Sequence, residues 1–324
     1  MLKVTYFGTT TLLFDDGTDQ VLFDAHVTRP SLAKYVLNAR VATDAALCDR
    51  LISAHGMDRL RAIFISHTHH DHVMDMPYIA NQCGATVYGS ASAKNVALGG
   101  GVPEERIVVF EHGSRFAVGG YDIRVIKSLH SKPTLLNNDL GVPINAPLKQ
   151  PARLRDYSEG GSYDFYVENG GERILIRPSF NYIEGQLDGL SADALFLGVA
   201  GLAKADAATQ ARFFAETVEK TGASLVIPIH WDNFFSPLEK PIRGPRKTSL
   251  CSIHYVGKPC KTRFLSEAML AKTGFFEVAI RGMPRLIERT DVVFHRLARY
   301  CAARGVNCLI EPPLTSIELG GMNL

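Results

Sequence analysis

The sequence predicts an α/β protein. Short apolar, β-branched runs alternate with stretches of helical periodicity along most of the 324 residues. Hydrophobic residues make up 46% and charged residues 21%, the balance of a chain with a substantial core. The length suits one large α/β unit, so we expect a single domain over 1–324 with an insertion at about 240–290.

Residues 4–7, 11–14 and 21–23 read as strands, broken at Gly8 and at Asp15-Asp16-Gly17, with Asp24 ending the third. Residues 31–56 read as helical. Ser31 follows Pro30 at the start, and Leu47, Leu51 and Ala54 recur at spacings of four and three. Residues 61–65 form an apolar strand, and a short helix is expected from Pro77, stopped by Gly84. Val87, a helix over 91–98 and a strand at 107–110 follow. Residues 121–127 alternate Ile123 and Val125 with Arg124, then run into Ser128-Leu129-His130. Residues 131–164 carry Pro133, Pro143, Pro147, Pro151 and Gly160-Gly161 with little periodicity, and irregular segments this long are usually functional or disordered. Strands at 163–168 and 173–176 flank Gly170-Gly171 as a hairpin, and 194–199 is another buried strand. Ala207, Ala211, Phe214 and Val218 mark an amphipathic helix ending at Gly222. A strand over 224–229 ends at His230-Trp231-Asp232. A last helix starts near Asp291, with Phe294, Leu297, Ala298 and Cys301 on one face and Gly305 behind it. Residues 240–290 are basic and do not parse; they read as a surface excursion, a substrate lid or an oligomer contact.

The net charge of +2 supplies no electrostatic reason to expect nucleic acid as a partner. No apolar run of about 18 residues predicts a transmembrane segment. The N-terminus enters a strand pattern at once, without the apolar region of a signal peptide. The six cysteines (48, 83, 251, 260, 301, 308) form no CxxC pair and read as reduced thiols, so a cytoplasmic protein is expected.

The chemistry concentrates in Ser66-His67-Thr68-His69-His70-Asp71-His72. Four of the 11 histidines fall within these positions, directly after an apolar strand. Imidazoles and a carboxylate crowded at a strand end suit a transition metal better than a merely polar turn. His130 and His230 also stand just past apolar strands. If those strands share a sheet, all three points lie at one edge of it, and their side chains converge on one cleft. His70 is left out, because extended alternation points it away from the others. His26, His55, His112, His254 and His295 lack this context and default to surface or capping roles.

The run His67-Thr68-His69-His70-Asp71-His72 resembles the HxHxDH motif of the metallo-β-lactamase superfamily. The resemblance covers about residues 1–240 and the last helix, and Asp24 in Leu22-Phe23-Asp24 also fits it. It implies an αββα sandwich, two mixed β-sheets flanked by helices. It further implies one metal on His67, His69 and His130 and a second on Asp71, His72 and His230. Pro228-Ile229-His230-Trp231-Asp232-Asn233-Phe234 and Asn181-Tyr182-Ile183-Glu184-Gly185 look like the branch of ascorbate-6-phosphate lactonases and N-acyl-phosphatidylethanolamine phospholipase D. One departure stands out. Binuclear members usually place a bridging aspartate after a mid-chain strand, whereas here Ser179 occupies that place and Asp188 is the nearest later aspartate. One metal or two therefore both stay open. His69, where di-iron relatives carry glutamate, favours Zn2+, with Mn2+, Fe2+ or Ni2+ as alternatives.

The expected function is a metal-dependent hydrolase that directs metal-bound hydroxide at an ester, lactone or amide of a small-molecule substrate. Asp71 is the expected catalytic group, as ligand or base, with Asp24 and Asp232 fixing ligand tautomers and Tyr157 and Tyr163 walling the pocket. A phosphodiesterase acting on nucleotides or phospholipid head groups, with Arg153, Arg155 or Arg177 holding phosphate, is the first alternative. A non-enzymatic metal-binding or ligand-sensing protein with a degenerate second site is the other. Homo-oligomerisation stays open.

Overall fold

The computed structural model describes residues 1–133, 138–239, 283 and 287–320, and the backbone of 253–255 and 258–259. Strands β1 (Leu2–Gly8), β2 (Thr11–Asp15) and β3 (Gln20–Phe23) form an antiparallel meander. The expected helix over 31–56 is broken. Helix α1 (Leu32–Val36) ends before Asn38, whose φ is +48°, and β4 (Arg40–Val41) intervenes before α2 (Ala45–Ala54). Asp44 caps α2 by accepting from the Leu47 amide, which leaves the Leu47–Leu51 periodicity to this second helix alone.

Strand β5 (Leu60–Phe64) pairs parallel with β3 and leads through the histidine run into the single turn α3 (His70–Val73). Helix α4 (Met76–Cys83) ends on Gly84 in the left-handed region (φ +72°), as its sequence predicts. Strand β6 (Thr86–Gly89), helix α5 (Ala91–Gly99) and β7 (Ile107–Val109) follow. With β18 (Thr315–Leu319) returning beside β1, the first sheet has the order β18-β1-β2-β3-β5-β6-β7 among the described residues.

The second sheet begins with the hairpin β8 (Arg115–Val118) and β9 (Tyr121–Lys127). Sequence reasoning missed β8, a four-residue edge strand with a single buried side chain. Strand β10 (Ala152–Arg153) pairs with β4 instead, tying the 131–164 segment to the helical layer. Strands β11 (Tyr163–Asn169) and β12 (Glu172–Arg177) form the predicted hairpin, and β13 (Ala194–Gly198) and β14 (Leu225–Ile229) extend it in parallel. Helix α6 (Ala207–Phe214), prolonged by a π-helical turn (Ala215–Glu219), and α7 (Thr290–Arg304) complete this half, with β15 (Ile253–Tyr255), β16 (Lys258–Pro259) and β17 (Asn307–Ile310). The described order is β16-β15-β17-β14-β13-β12-β11-β9-β8. The insertion expected at about 240–290 lies mostly outside the described residues.

Strand alternation divides the core. Ala62 and Phe64 of β5 face the second sheet, while Ile63 faces the helices α2, α4 and α5 with Leu47, Ile79 and Val96. Phe23 and Phe165 meet across the two sheets at 5.4 Å between ring centroids, and Phe14 meets Phe196 at 5.9 Å. Truncating one such ring to alanine would cost about 3–5 kcal/mol. Helices α6 and α7 cover the far side with Phe213, Phe214, Phe294 and Leu297. The layers run helix, sheet, sheet, helix, the predicted αββα sandwich. Cys48, Cys301 and Cys308 are buried free thiols. Among the described residues no helix is long and apolar enough to cross a membrane.

Candidate metal centre

The strands predicted to deliver the site do not all share a sheet. The 66–72 run follows β5 in the first sheet, whereas His130 and His230 follow β9 and β14 in the second. The cleft therefore lies across the end of the sandwich, where both sheets contribute.

Two groups of side chains converge there. His67, His69 and His130 place one donor atom each within 4.8 Å of one another, and so do Asp71, His72 and His230. In the first group the ring centroids are 4.6–5.0 Å apart. In the second, Asp71 Oδ2 lies 3.5 Å from His230 Nε2 and 3.8 Å from His72 Nε2. The rings of His67 and His72 are 3.7 Å apart, so the groups abut. Each group takes two residues from the β5 run and one from the opposite sheet.

The free nitrogens test whether a metal fits. His72 Nδ1 is bound to Asp24 Oδ2 at 2.7 Å, which leaves His72 Nε2 buried without a partner. His67 Nδ1 faces Ser66 Oγ at 3.1 Å, and His67 Nε2 is likewise buried and unpartnered. His130 Nδ1 donates to Ser131 O at 2.9 Å, turning Nε2 inward. Unsatisfied buried nitrogens are costly, and one stands in each group, His67 Nε2 and His72 Nε2, as a divalent cation at each point would need. Charge agrees. Burial, reinforced by the neighbouring imidazoles, pushes His67 well below its ordinary range. Burial takes His130 down to about 3. Neutral imidazoles are what a metal binds. Burial works against the Asp71 carboxylate, yet His72 and His230 hold it well below the usual range; the His230 imidazole is raised, its contact with Asp71 outweighing burial.

Asp24 positions the run. It accepts from the Ser66 amide (2.7 Å), Ser66 Oγ (2.8 Å) and Thr10 Oγ1 (2.5 Å) as well as from His72. Asp232 does something other than expected. It fixes no ligand tautomer; it accepts from Tyr6 Oη (3.0 Å), the Thr9 amide (2.7 Å) and Arg29 Nη1 (2.9 Å). This clamps the β1–β2 turn beneath His230, whose own amide donates to Thr9 O at 2.5 Å and whose φ is +60°. Trp231, between them in sequence, is buried and packs edge-on against Phe294 at 5.1 Å.

Other expectations divide. Tyr157 and Arg155 line the cleft, but Tyr163 does not; it packs under Lys127 Nζ, 4.5 Å from its ring centre. Arg153 is exposed outside the cleft, and Arg177 is buried against Asp164 at 3.2 Å, so neither is placed to hold phosphate. Arg177 instead donates to Asn181 O, and Asn181 Nδ2 donates to His130 O, both at 2.7 Å, which supports the His130 backbone. Ser179 lines the cleft, and β12 brings no carboxylate to it. Asp188 pairs with Lys220 on the surface. His70 stands outside both groups but is buried along the cleft, its imidazole lowered by burial to about 4. His26 and His295 are buried, against expectation, because each follows or sits among core residues; His26 meets His70 edge-on at 6.0 Å. His55 ends α2 and His112 is exposed, as expected, and the His254 side chain lies outside the described residues. Sequence reasoning did not single out Asp139, whose Oδ1 lies 3.1 Å from His69 Nε2. It stands in the aperiodic 131–164 segment, where the one available signal was an acid amid polar residues.

The cleft has a volume of about 1410 Å3. Tyr35, Phe180, Tyr182, Phe234 and Phe235 supply apolar walls, and Lys132, Arg155, Lys204 and Arg212 supply cations. A half-open cleft with a largely apolar wall, charged groups along it and the histidine run at its base suits a small organic molecule.

Known proteins share parts of this sequence and its fold. Residues 19–231 match the family model described as the beta-lactamase superfamily domain. A UPF0173 metal-dependent hydrolase of Roseiflexus sp. (strain RS-1) is 28% identical over 131 residues, which is 40% of this chain and 53% of that protein. The matched stretch thus spans about half the length of such curated relatives. The metallo-beta-lactamase fold protein YhfI from Bacillus subtilis superposes with a TM-score of 0.50 at 14% identity, over 98% of this chain and 100% of that one. CmlA, a diiron beta-hydroxylase from Streptomyces venezuelae, gives 0.54 at 11% identity, over 98% of this chain and 54% of that one. At these identities the structural likeness is one of fold, and a fold hosts more than one chemistry.

Proposed function

The chain belongs to the metallo-β-lactamase superfamily, and from that premise we propose that it is a metal-dependent hydrolase of a small organic substrate. The observation that carries this reading is the convergence of six donors in two abutting groups, with buried imidazole nitrogens left free. His67, His69 and His130 would hold one divalent cation, and Asp71, His72 and His230 a second. A cation bound there supplies Lewis acidity and lowers the pKa of a coordinated water to about 7, so that hydroxide is available at neutral pH. The protein's own groups do the rest. Asp71, held ionised between His72 and His230, would orient the nucleophile by accepting its proton and would relay that same proton to the leaving group. Asp24 holds the His72 ring in one tautomer. Tyr35, Phe180, Phe234 and Phe235 would wall one side of the substrate.

The reading takes zinc as the metal, since His69 stands where di-iron relatives carry glutamate. It takes a carboxylic ester, lactone or amide as the bond. The branch of ascorbate-6-phosphate lactonases and N-acyl-phosphatidylethanolamine phospholipase D is supported by 181–185 and 228–234, which both contribute to the cleft wall. Arg155 and Arg212 are cations on the cleft wall able to hold a phosphate, which keeps a phosphodiesterase as the second reading, but Asp139, Glu184, Asp206 and Glu288 line the same cleft, so its charge alone does not select an anionic substrate.

Elemental mass spectrometry on chelator-free protein, beside hydrolysis of lactone, ester and phosphodiester panels, tests this. Bound metal and turnover that both vanish in His67→Ala support the hydrolase. Metal without turnover of any panel member points to a binding protein, and phosphodiester turnover alone moves the second reading to first.

A further inference from the structure

We propose that Asp139 is the positioning carboxylate of His69: it accepts the Nε2 proton and thereby leaves Nδ1 as the metal-facing atom. The inference rests on the metal-site reading above and deepens it.

Three of the other four ligand histidines, His67, His72 and His130, have one ring nitrogen held by the protein, namely by Ser66 Oγ, by Asp24 and by Ser131 O, whereas His230 Nδ1 is buried without a hydrogen-bond partner. In each of those three the opposite nitrogen is left for the cleft. His69 follows the same rule only if Asp139 is its partner, at 3.1 Å from Nε2. The carboxylate has no proton to give, so Nε2 donates and Nδ1 carries the lone pair.

Asp139 is built into place. The Val142 amide donates to Asp139 O at 3.0 Å, closing a turn. The Gly141 amide in that turn donates to Glu159 Oε2 at 2.8 Å. Glu159 is 4% exposed and also accepts from the Gly161 amide (2.9 Å) and Ser162 Oγ (2.5 Å). Its backbone carbonyl accepts from the Thr68 amide at 3.0 Å, between His67 and His69. One buried residue thus fixes both the turn that carries Asp139 and the run that carries His69. The carboxylate also puts negative charge beside the first group, in a cleft where β12 offers Ser179 and no acid. Partners of this kind orient a ligand and raise its basicity, and losing one typically weakens metal binding about 10–100-fold.

The test compares wild type, Asp139→Ala and Asp139→Asn. Zinc affinity is read by competition with a chromogenic chelator, and Co2+-loaded protein by its visible absorption. The His69 tautomer is read by long-range 15N–1H NMR on Zn2+-loaded protein. In Asp139→Ala we expect about 10–100-fold weaker binding of one ion, an altered Co2+ spectrum and loss of the protected Nε2 proton. Asp139→Asn, which keeps an acceptor of the same shape without the charge, should retain the tautomer and lie between the other two in affinity. Circular dichroism of the metal-free proteins establishes that both variants fold. Wild-type affinity and spectrum in Asp139→Ala overturn the inference while leaving the hydrolase reading intact. A His69 that coordinates through Nε2 overturns it as well. Wild-type protein that binds no ion overturns the metal-site reading itself.

Discussion

Asp24 and His72, 48 positions apart in sequence, meet at 2.7 Å with both side chains 1% exposed. The contact joins the end of β3 to the end of the histidine run, and it leaves His72 Nε2 free toward Asp71 and His230. Asp24→Ala removes the acceptor and frees the ring to rotate. We expect zinc affinity at the Asp71–His72–His230 group to fall about 10–100-fold. Chelator competition measures it, and unchanged affinity would show that Ser66 and Thr10 hold the ring unaided.

His230→Ala removes the one histidine that, among the described residues, the second sheet gives to that group. Metal content should fall from about two ions per chain to about one, as counted by elemental mass spectrometry. One ion in both proteins would mean that His230 holds none.

Asp232→Ala acts through the backbone. Arg29 and Asp232 form a 2.9 Å ion pair with side chains 1% and 2% exposed. Removing the acid leaves a buried guanidinium without its counter-charge, a loss of about 3–5 kcal/mol. The β1–β2 turn should loosen with it, because the Tyr6 hydroxyl and the Thr9 amide lose their acceptor. Urea unfolding of the metal-free protein reads the cost separately from ion binding. A variant as stable as wild type would show that Arg29 finds another partner.

Glu311 follows β17 fully buried, and burial pushes its carboxyl well above the ordinary range. Its folded pKa thus exceeds the unfolded value of about 4.3. Stability from this group is complete below the unfolded value and is lost as pH rises through the folded one. Glu311→Gln should therefore gain stability over wild type at about pH 8, with the gap narrowing toward about pH 4. Denaturant titrations across that range give the gap directly; a pH-independent difference would rule out titration of Glu311 as its source.

Much of this molecule can be read from its residues because local rules dominate there. Gly84 and Gly305 stop their helices in the left-handed region, and 121–127 and 163–176 show their alternation openly. The ligand run is legible because four of its members are adjacent in sequence and follow a strand. What is hidden depends on partners far away in the chain. That β9 and β14 lie in a different sheet from β5 is decided by pairing, on which alternation is silent. Asp232 sits next to ligands in sequence yet turns toward Arg29 and Tyr6, a choice made by residues more than 200 positions away. His26 and His295 are buried by tertiary packing, and Asp139 reaches His69 through a turn whose anchor, Glu159, follows 20 residues later. The break at Asn38 is set by β4 pairing with β10, more than 100 residues on.

Trp231 is the only tryptophan in the chain, and it is peptide-bonded to His230. Its indole is 1% exposed, wedged between Tyr6 and Phe294. Nature has thereby placed a single intrinsic fluorophore at the seam where the two sheets close on the cleft. Its emission is a one-site optical gauge: it reports how firmly the β14 end is seated, with no label attached and no second indole to blur the signal.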